Sequence, residues 1–205
     1  MATANGDVDT VPFLTKHMDM ERSESWIPSL LSVCVSHFGS SVKGISDVAS
    51  EAYDNAVDLA TSELVTSDPD SVLASLLSEN MATMDWNIKA KYPGLKSILA
   101  RVSDLSKVLD VHKELAHGLA QSLVANQLAS AGVRVYKVLI KKINCETWVK
   151  SGFGKVLIEA MQRDDEEVVR DNACNHWLPV TVNAIKSCIQ GQHFVDISIR
   201  VSLYM

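Results

Sequence analysis

The chain is poor in the residues that punctuate a fold: its 205 residues include only nine glycines and five prolines. Turn signals are therefore single residues between long periodic segments, which argues for helices and against many short strands. No apolar run approaches the roughly 20 residues that a membrane-spanning helix needs. The opening segment MATANGDVDTVPF is polar and acidic, without the basic start and apolar stretch of a signal peptide. A cytosolic protein is the expectation. Cysteine is scarce and unpaired in pattern. Cys34, Cys145, Cys174 and Cys188 form no Cys-x2-Cys unit, and a domain of this size needs no disulfide staples, so they read as reduced, mostly buried small hydrophobes. Basic excess is missing too. A formal net charge of −6 argues against a whole-surface nucleic-acid binder and leaves only a local patch for any RNA contact.

What is present is an ordinary globular mix. With 47% apolar and 21% charged residues, the chain can fill a sizeable core, and wholesale disorder is not expected. Residues 1–24 carry no sustained period and read as a disordered or loosely attached lead-in. From 25 to 190, helical patterns come in four pairs: 26–37 with 43–65, 71–84 with 88–102, 109–123 with 126–142, and 147–161 with 165–189. Ser25 reads as the first N-cap, and Ser67-Asp68-Pro69-Asp70 supplies a stop and a cap together. Ile88, Tyr92, Leu95, Leu99 and Val102 draw one stripe at helical spacing, as do Leu128, Ala131, Val135, Val138 and Leu139. Val149, Phe153, Val156, Leu157, Ala160 and Met161 draw a third. Pro179 is expected to kink or break the last helix after Leu178. The pairs begin roughly 40–45 residues apart, the period of a HEAT or armadillo unit, and stacking would bury the stripe that each pair leaves open. The expected fold is all-α, a HEAT/armadillo-like helical-repeat solenoid. In 191–205 the apolar residues switch to strand period, from Val195 to Met205, with no other strand to pair with; this tail reads as foreign to the array.

Candidate chemistry is thin. Ser151-Gly152-Phe153-Gly154-Lys155 superficially resembles a phosphate loop, but Val149 and Val156 stand where the motif needs Gly and Ser or Thr. Close helix packing at glycines is the simpler reading. Cys174 with His176, and His112 with His117, lack the second ligand pair that a zinc site wants. No catalytic residue, cofactor site or metal ligand is expected, and the chain does not read as an enzyme. Arg134, Lys137, Lys141 and Lys142 make a basic stripe that could touch RNA phosphates, flanked in sequence by Lys89, Lys91 and Lys96 and by Lys150 and Lys155. A solvated helix face gives the same pattern.

One segment is more specific. Asp85-Trp86-Asn87-Ile88-Lys89-Ala90-Lys91-Tyr92 reads as a helix-to-helix corner: Asp85 caps, Trp86 plugs the gap, Ile88 and Tyr92 start the core stripe, and Lys89 and Lys91 point outward. This segment resembles the THADA family, in which an acidic residue and Trp precede Ile-Lys and then Lys-Tyr. The resemblance extends over roughly 40–190, through Leu73–Met84, Val108-Leu109-Asp110, Asn126–Leu139 and, more weakly, Asp164–Ile185 with Leu178-Pro179. THADA proteins are much longer, so a fragment or short isoform is implied. The resemblance implies a non-catalytic regulatory scaffold in tRNA processing. Its partner would be an FtsJ-type methyltransferase that methylates the ribose 2′-oxygen at position 32 of the tRNA anticodon loop and itself holds S-adenosylmethionine, while the repeat protein positions tRNA. The alternative is a generic protein-binding repeat adaptor in transport or complex assembly, which the acidic balance favours.

Overall fold

The computed structural model describes residues 23–42, 44–63 and 66–190. The lead-in expected over 1–24 falls almost wholly outside them, and the tail expected over 191–205 wholly so. Among the described residues every regular element is helical. In chain order these are α1 (Ser23–His37), α2 (Ile45–Ala60), α3 (Pro69–Ala82), α4 (Tyr92–Arg101), α5 (Leu105–Val111), α6 (Leu115–Ala120), α7 (Asn126–Lys142), α8 (Cys145–Lys150), α9 (Phe153–Met161), α10 (Glu167–Asn172) and α11 (Leu178–Gln190). One-turn 3₁₀ segments precede α4 (Lys89–Lys91) and α7 (Gln121–Leu123), and a π-turn, Ala173–Trp177, joins α10 to α11.

Short polar side chains set several of these starts. Asp68 accepts from the Ser71 N–H with Pro69 in the first turn of α3, Asp104 accepts from the Lys107 N–H ahead of α5, and Asn144 accepts from the Thr147 N–H ahead of α8. Helix α1 already begins at Ser23, so Ser25 lies inside it and is not its cap.

Two expected helices are broken into pieces. The span 109–123 is divided among α5, α6 and a 3₁₀ turn. The span 147–161 is split by Gly152, whose φ of +86° reverses the chain between α8 and α9. Val149 therefore leaves the apolar stripe and is 63% exposed, while Phe153, Val156, Leu157 and Ala160 stay buried. Pro179 does not break the last helix. It sits in the first turn of α11, directly after the π-turn, and the widened turn accommodates the missing N–H.

The helices pack in succession. Helices α2, α4, α7 and α11 form a row, each in contact with the next, and α1, α3 and α6 pack against α2, α4 and α7. Helix α9 packs on α6, α8, α10 and the π-turn. Tyr53, Leu77, Leu95, Leu119, Tyr136, Phe153 and Trp177 fill the interior between the layers at 2% exposure or less.

Candidate functional site

At the corner, the Asp85 carboxylate accepts the Asn87 N–H at 2.9 Å. It thus caps a turn and not a helix. Helix α4 starts after the 3₁₀ turn, with no side-chain cap on its first N–H groups. Trp86 is half-buried and packs on α6, where a Cβ on Gly118 would come within 2.1 Å of the indole. Its ring meets Tyr92 edge-on, with centroids 6.1 Å apart, and the Tyr92 hydroxyl donates to the Trp86 carbonyl at 2.7 Å. Burial, with the Asp85 charge adding to it, pushes the Tyr92 phenol up to about 12. Ile88 does not join the core stripe. It precedes the 3₁₀ turn in extended backbone (φ −105°, ψ 104°), out of register with Tyr92, and is 44% exposed. Lys89 is exposed and Lys91 half-buried.

The basic stripe divides. Arg134, Lys137 and Lys141 are exposed along α7, and none forms an ion pair with a described residue. Lys142 lies about 100° further round the helix from Lys141 and turns to α4 instead. Its ammonium donates to the carbonyls of Ala100 at 2.5 Å, Val102 at 2.8 Å and Leu99 at 3.4 Å. Lys142, also exposed, thus closes the C-terminal end of α4, where orphan carbonyls and the helix dipole favour a cation. The lysines expected to extend the stripe onto the following unit are also engaged: Lys150 pairs with Glu146 at 2.6 Å and Lys155 with Glu159 at 3.7 Å.

A polar ladder that the residue pattern did not point to ties α2 to α4. The Arg101 guanidinium donates to Asp58 at 2.6 Å and back to the Ser97 carbonyl at 3.0 Å, while the Ser97 hydroxyl donates to Asp54. Asp58, first by its hydrogen bond, holds the guanidinium above its usual range. The signal was available as spacing: Asp54 and Asp58 stand at i, i+4 on one helix, Ser97 and Arg101 at i, i+4 on another, each pair 43 residues apart. An open groove beside this ladder is lined by Thr61, Asp68, Asp70, Leu73 and Ser103, and Arg101 at its edge is already committed.

Elsewhere the glycines of 151–155 serve packing. Gly152 makes the reversal, and a Cβ on Gly154 would lie 2.8 Å from the Trp148 ring. Cys34 is buried, and desolvation pushes its thiol up to about 11; Cys174 is half-buried, and Cys145 is exposed, contrary to the mostly buried expectation. His112 faces Glu114 at 3.4 Å. Among the described residues no three His, Cys, Asp or Glu side chains gather as a metal site, and no described helix is long and apolar enough to cross a membrane. No protein-family model, curated protein or solved structure matches the chain.

Proposed function

We propose that this chain is a non-catalytic HEAT/armadillo-like helical-repeat scaffold that serves an FtsJ-type methyltransferase in 2′-O-methylation of the tRNA anticodon loop. The observation that carries the scaffold reading is an interval of 40 to 45 residues that recurs in many of the long-range side-chain bonds, with Tyr53–Asn80 at 27, Asp70–Ser103 at 33 and Leu123–Asn172 at 49 outside it. Ser97–Asp54 and Arg101–Asp58 span 43 residues, Lys142 reaches back 40 to 43, Ser106–Thr147 spans 41 and Tyr136–Thr181 spans 45. Bonds that recur at one sequence interval are what a stack of similar units requires, since each unit touches only its neighbours. The tRNA assignment comes from the THADA resemblance of Asp85–Tyr92, and Arg134, Lys137 and Lys141, which form no ion pair among the described residues, supply cations for phosphate contact.

The test is reconstitution. The full chain is mixed with an FtsJ-type methyltransferase, S-adenosylmethionine and unmodified tRNA, and ribose methylation in the anticodon loop is followed. The expected outcome is co-purification and a rate at least tenfold above the enzyme alone. No association and no stimulation would refute the tRNA role and leave the scaffold to a different partner.

A further inference from the structure

We infer that the anion-binding surface is a track running across the helix row, from Lys96 on α4 through Lys137 and Lys141 on α7 to Lys186 on α11, and that it takes an RNA phosphodiester backbone. The inference rests on the tRNA reading above. The residue pattern suggested a ridge along α7 continued by Lys89, Lys91 and Lys96 on the preceding unit and by Lys150 and Lys155 on the following one, and these last two lysines are paired.

Register carries the argument. The contacts of Lys142 with the Leu99, Ala100 and Val102 carbonyls bring the C-terminal ends of α4 and α7 to one edge. Lys137, five residues before Lys142, thus lies level with Lys96, five before Arg101. On the other side, Asn172 donates to the Leu123 carbonyl at 2.9 Å, and Tyr136 and Thr181 share a hydrogen bond of 2.6 Å. The Leu123 carbonyl belongs to the 3₁₀ turn that leads into α7, and Tyr136 lies on α7 itself, so the two contacts follow one chain order and point to α11 running in the same sense as α7. Five residues beyond Tyr136 is Lys141, and five beyond Thr181 is Lys186. All four lysines are exposed and none has an ion pair with a described residue.

Exposure places them on one side of the row. On α4 the exposed positions are Pro93, Lys96 and Ala100, opposite buried Leu95 and Ile98; on α7 they include Arg134, Lys137 and Lys141, opposite Tyr136 and Leu139; on α11 Lys186 lies opposite Thr181. Packed helices stand about 8–10 Å apart, so successive lysines can meet successive parts of one strand. The row also has a polarity. On α2 the corresponding face carries Asp47, Glu51, Asp54 and Asp58 at helical spacing, only the last two of which meet Arg101. Like charge within about one or two Debye lengths of α4 discourages a polyanion from continuing onto α2, and the favoured path runs from α4 toward α11.

The experiment is filter binding of unmodified tRNA to the full chain across a salt series. The variants are Lys96→Glu, Lys186→Glu, the double reversal Lys137→Glu/Lys141→Glu, and Lys155→Glu as a control on α9. Melting curves check each fold, since surface changes stay within about 0.5 kcal/mol. Lys96→Glu and Lys186→Glu should each weaken binding several-fold and flatten the log–log salt slope by about 0.7–0.9. The double reversal should remove about twice that slope, and Lys155→Glu none. If only the double reversal weakens binding, the track is wrong and the single-helix ridge stands. If the wild-type chain binds no tRNA at low salt, the tRNA reading fails and the track with it. If the reversals spare tRNA but abolish capture of the methyltransferase, the surface is a protein interface and the inference is overturned.

Discussion

The first two junctions of the helix row and the last are joined by different chemistry. From α2 to α4 and from α4 to α7 the cross-links include charged side chains at the C-terminal edge of the row, Arg101 on Asp58 and Lys142 on the α4 carbonyls. From α7 to α11 the link is aromatic and central. Trp177 stacks on Tyr136 with centroids 4.2 Å apart and planes 7° from parallel, Phe153 tilts against both, and the Trp148 indole N–H donates to the Tyr136 hydroxyl at 2.8 Å. Trp177 and Phe153 are fully buried, whereas the side chains of Arg101 and Asp58 are 24% and 63% exposed. Charged edge links fix register at small net gain because water competes for them. The aromatic link removes large apolar surfaces from water and contributes most of its stabilisation through burial.

Trp177→Ala tests the aromatic side of that contrast and should have the largest effect. Removing a fully buried Trp costs about 3–5 kcal/mol, so urea unfolding should show a loss in that range. A loss below about 1 kcal/mol would mean that the α7–α11 junction does not depend on the stack.

The Trp86 corner lies between these extremes, and a mutant cycle sharpens it. Gly118→Ala places a methyl where the indole sits and should cost about 1–3 kcal/mol by overpacking. In a Trp86→Ala background the same change should be neutral or slightly stabilising, because Ala is otherwise favoured over Gly inside a helix. Equal effects in both backgrounds would show that the ring and α6 are uncoupled.

What the sequence revealed, and what it hid, follows the same division. The stripes were legible because helical period is a property of one segment: Tyr92, Leu95, Leu99 and Val102 are buried, as are Leu128, Ala131, Val135 and Leu139, with Val138 half-buried. The stripe broke where a single backbone step intervened, the extended step at Ile88 and the left-handed turn at Gly152. The Asp85–Tyr92 segment lies between α3 and α4, and Asp85 caps its own turn, because Asn87 comes into reach before α4 begins. The contacts of Lys142 with α4 were hidden for a different reason. A lysine adjoining a basic stripe looks like part of it until the neighbouring helix end is in place, and only packing supplies those three carbonyls.

Lys142→Met probes the charged side and should have the smallest effect on stability. Three carbonyls lose an ionic donor, and a hydrogen bond to a charged group contributes about 1.5–3 kcal/mol when water is excluded. Here water can replace much of that, because the α4 end is only partly covered. Burial also works against the ammonium: desolvation pulls its pKa below the ordinary lysine value, and the Asp70 charge opposes that pull. Methionine keeps most of the apolar stem and removes the desolvation cost, so the expected net loss is about 0.5–1.5 kcal/mol by urea unfolding, well under that of Trp177→Ala. Raising the salt concentration should narrow the gap to wild type as the charged interaction is screened. Lys142→Glu should lose more than Lys142→Met, since a carboxylate would face carbonyl oxygens and Asp70 at the negative end of a helix. The comparison with Lys141 decides the assignment. Lys142→Met should leave the salt slope of tRNA binding unchanged while Lys141→Met flattens it. Equal flattening by both would return Lys142 to the phosphate-contacting set and make its seat on α4 incidental.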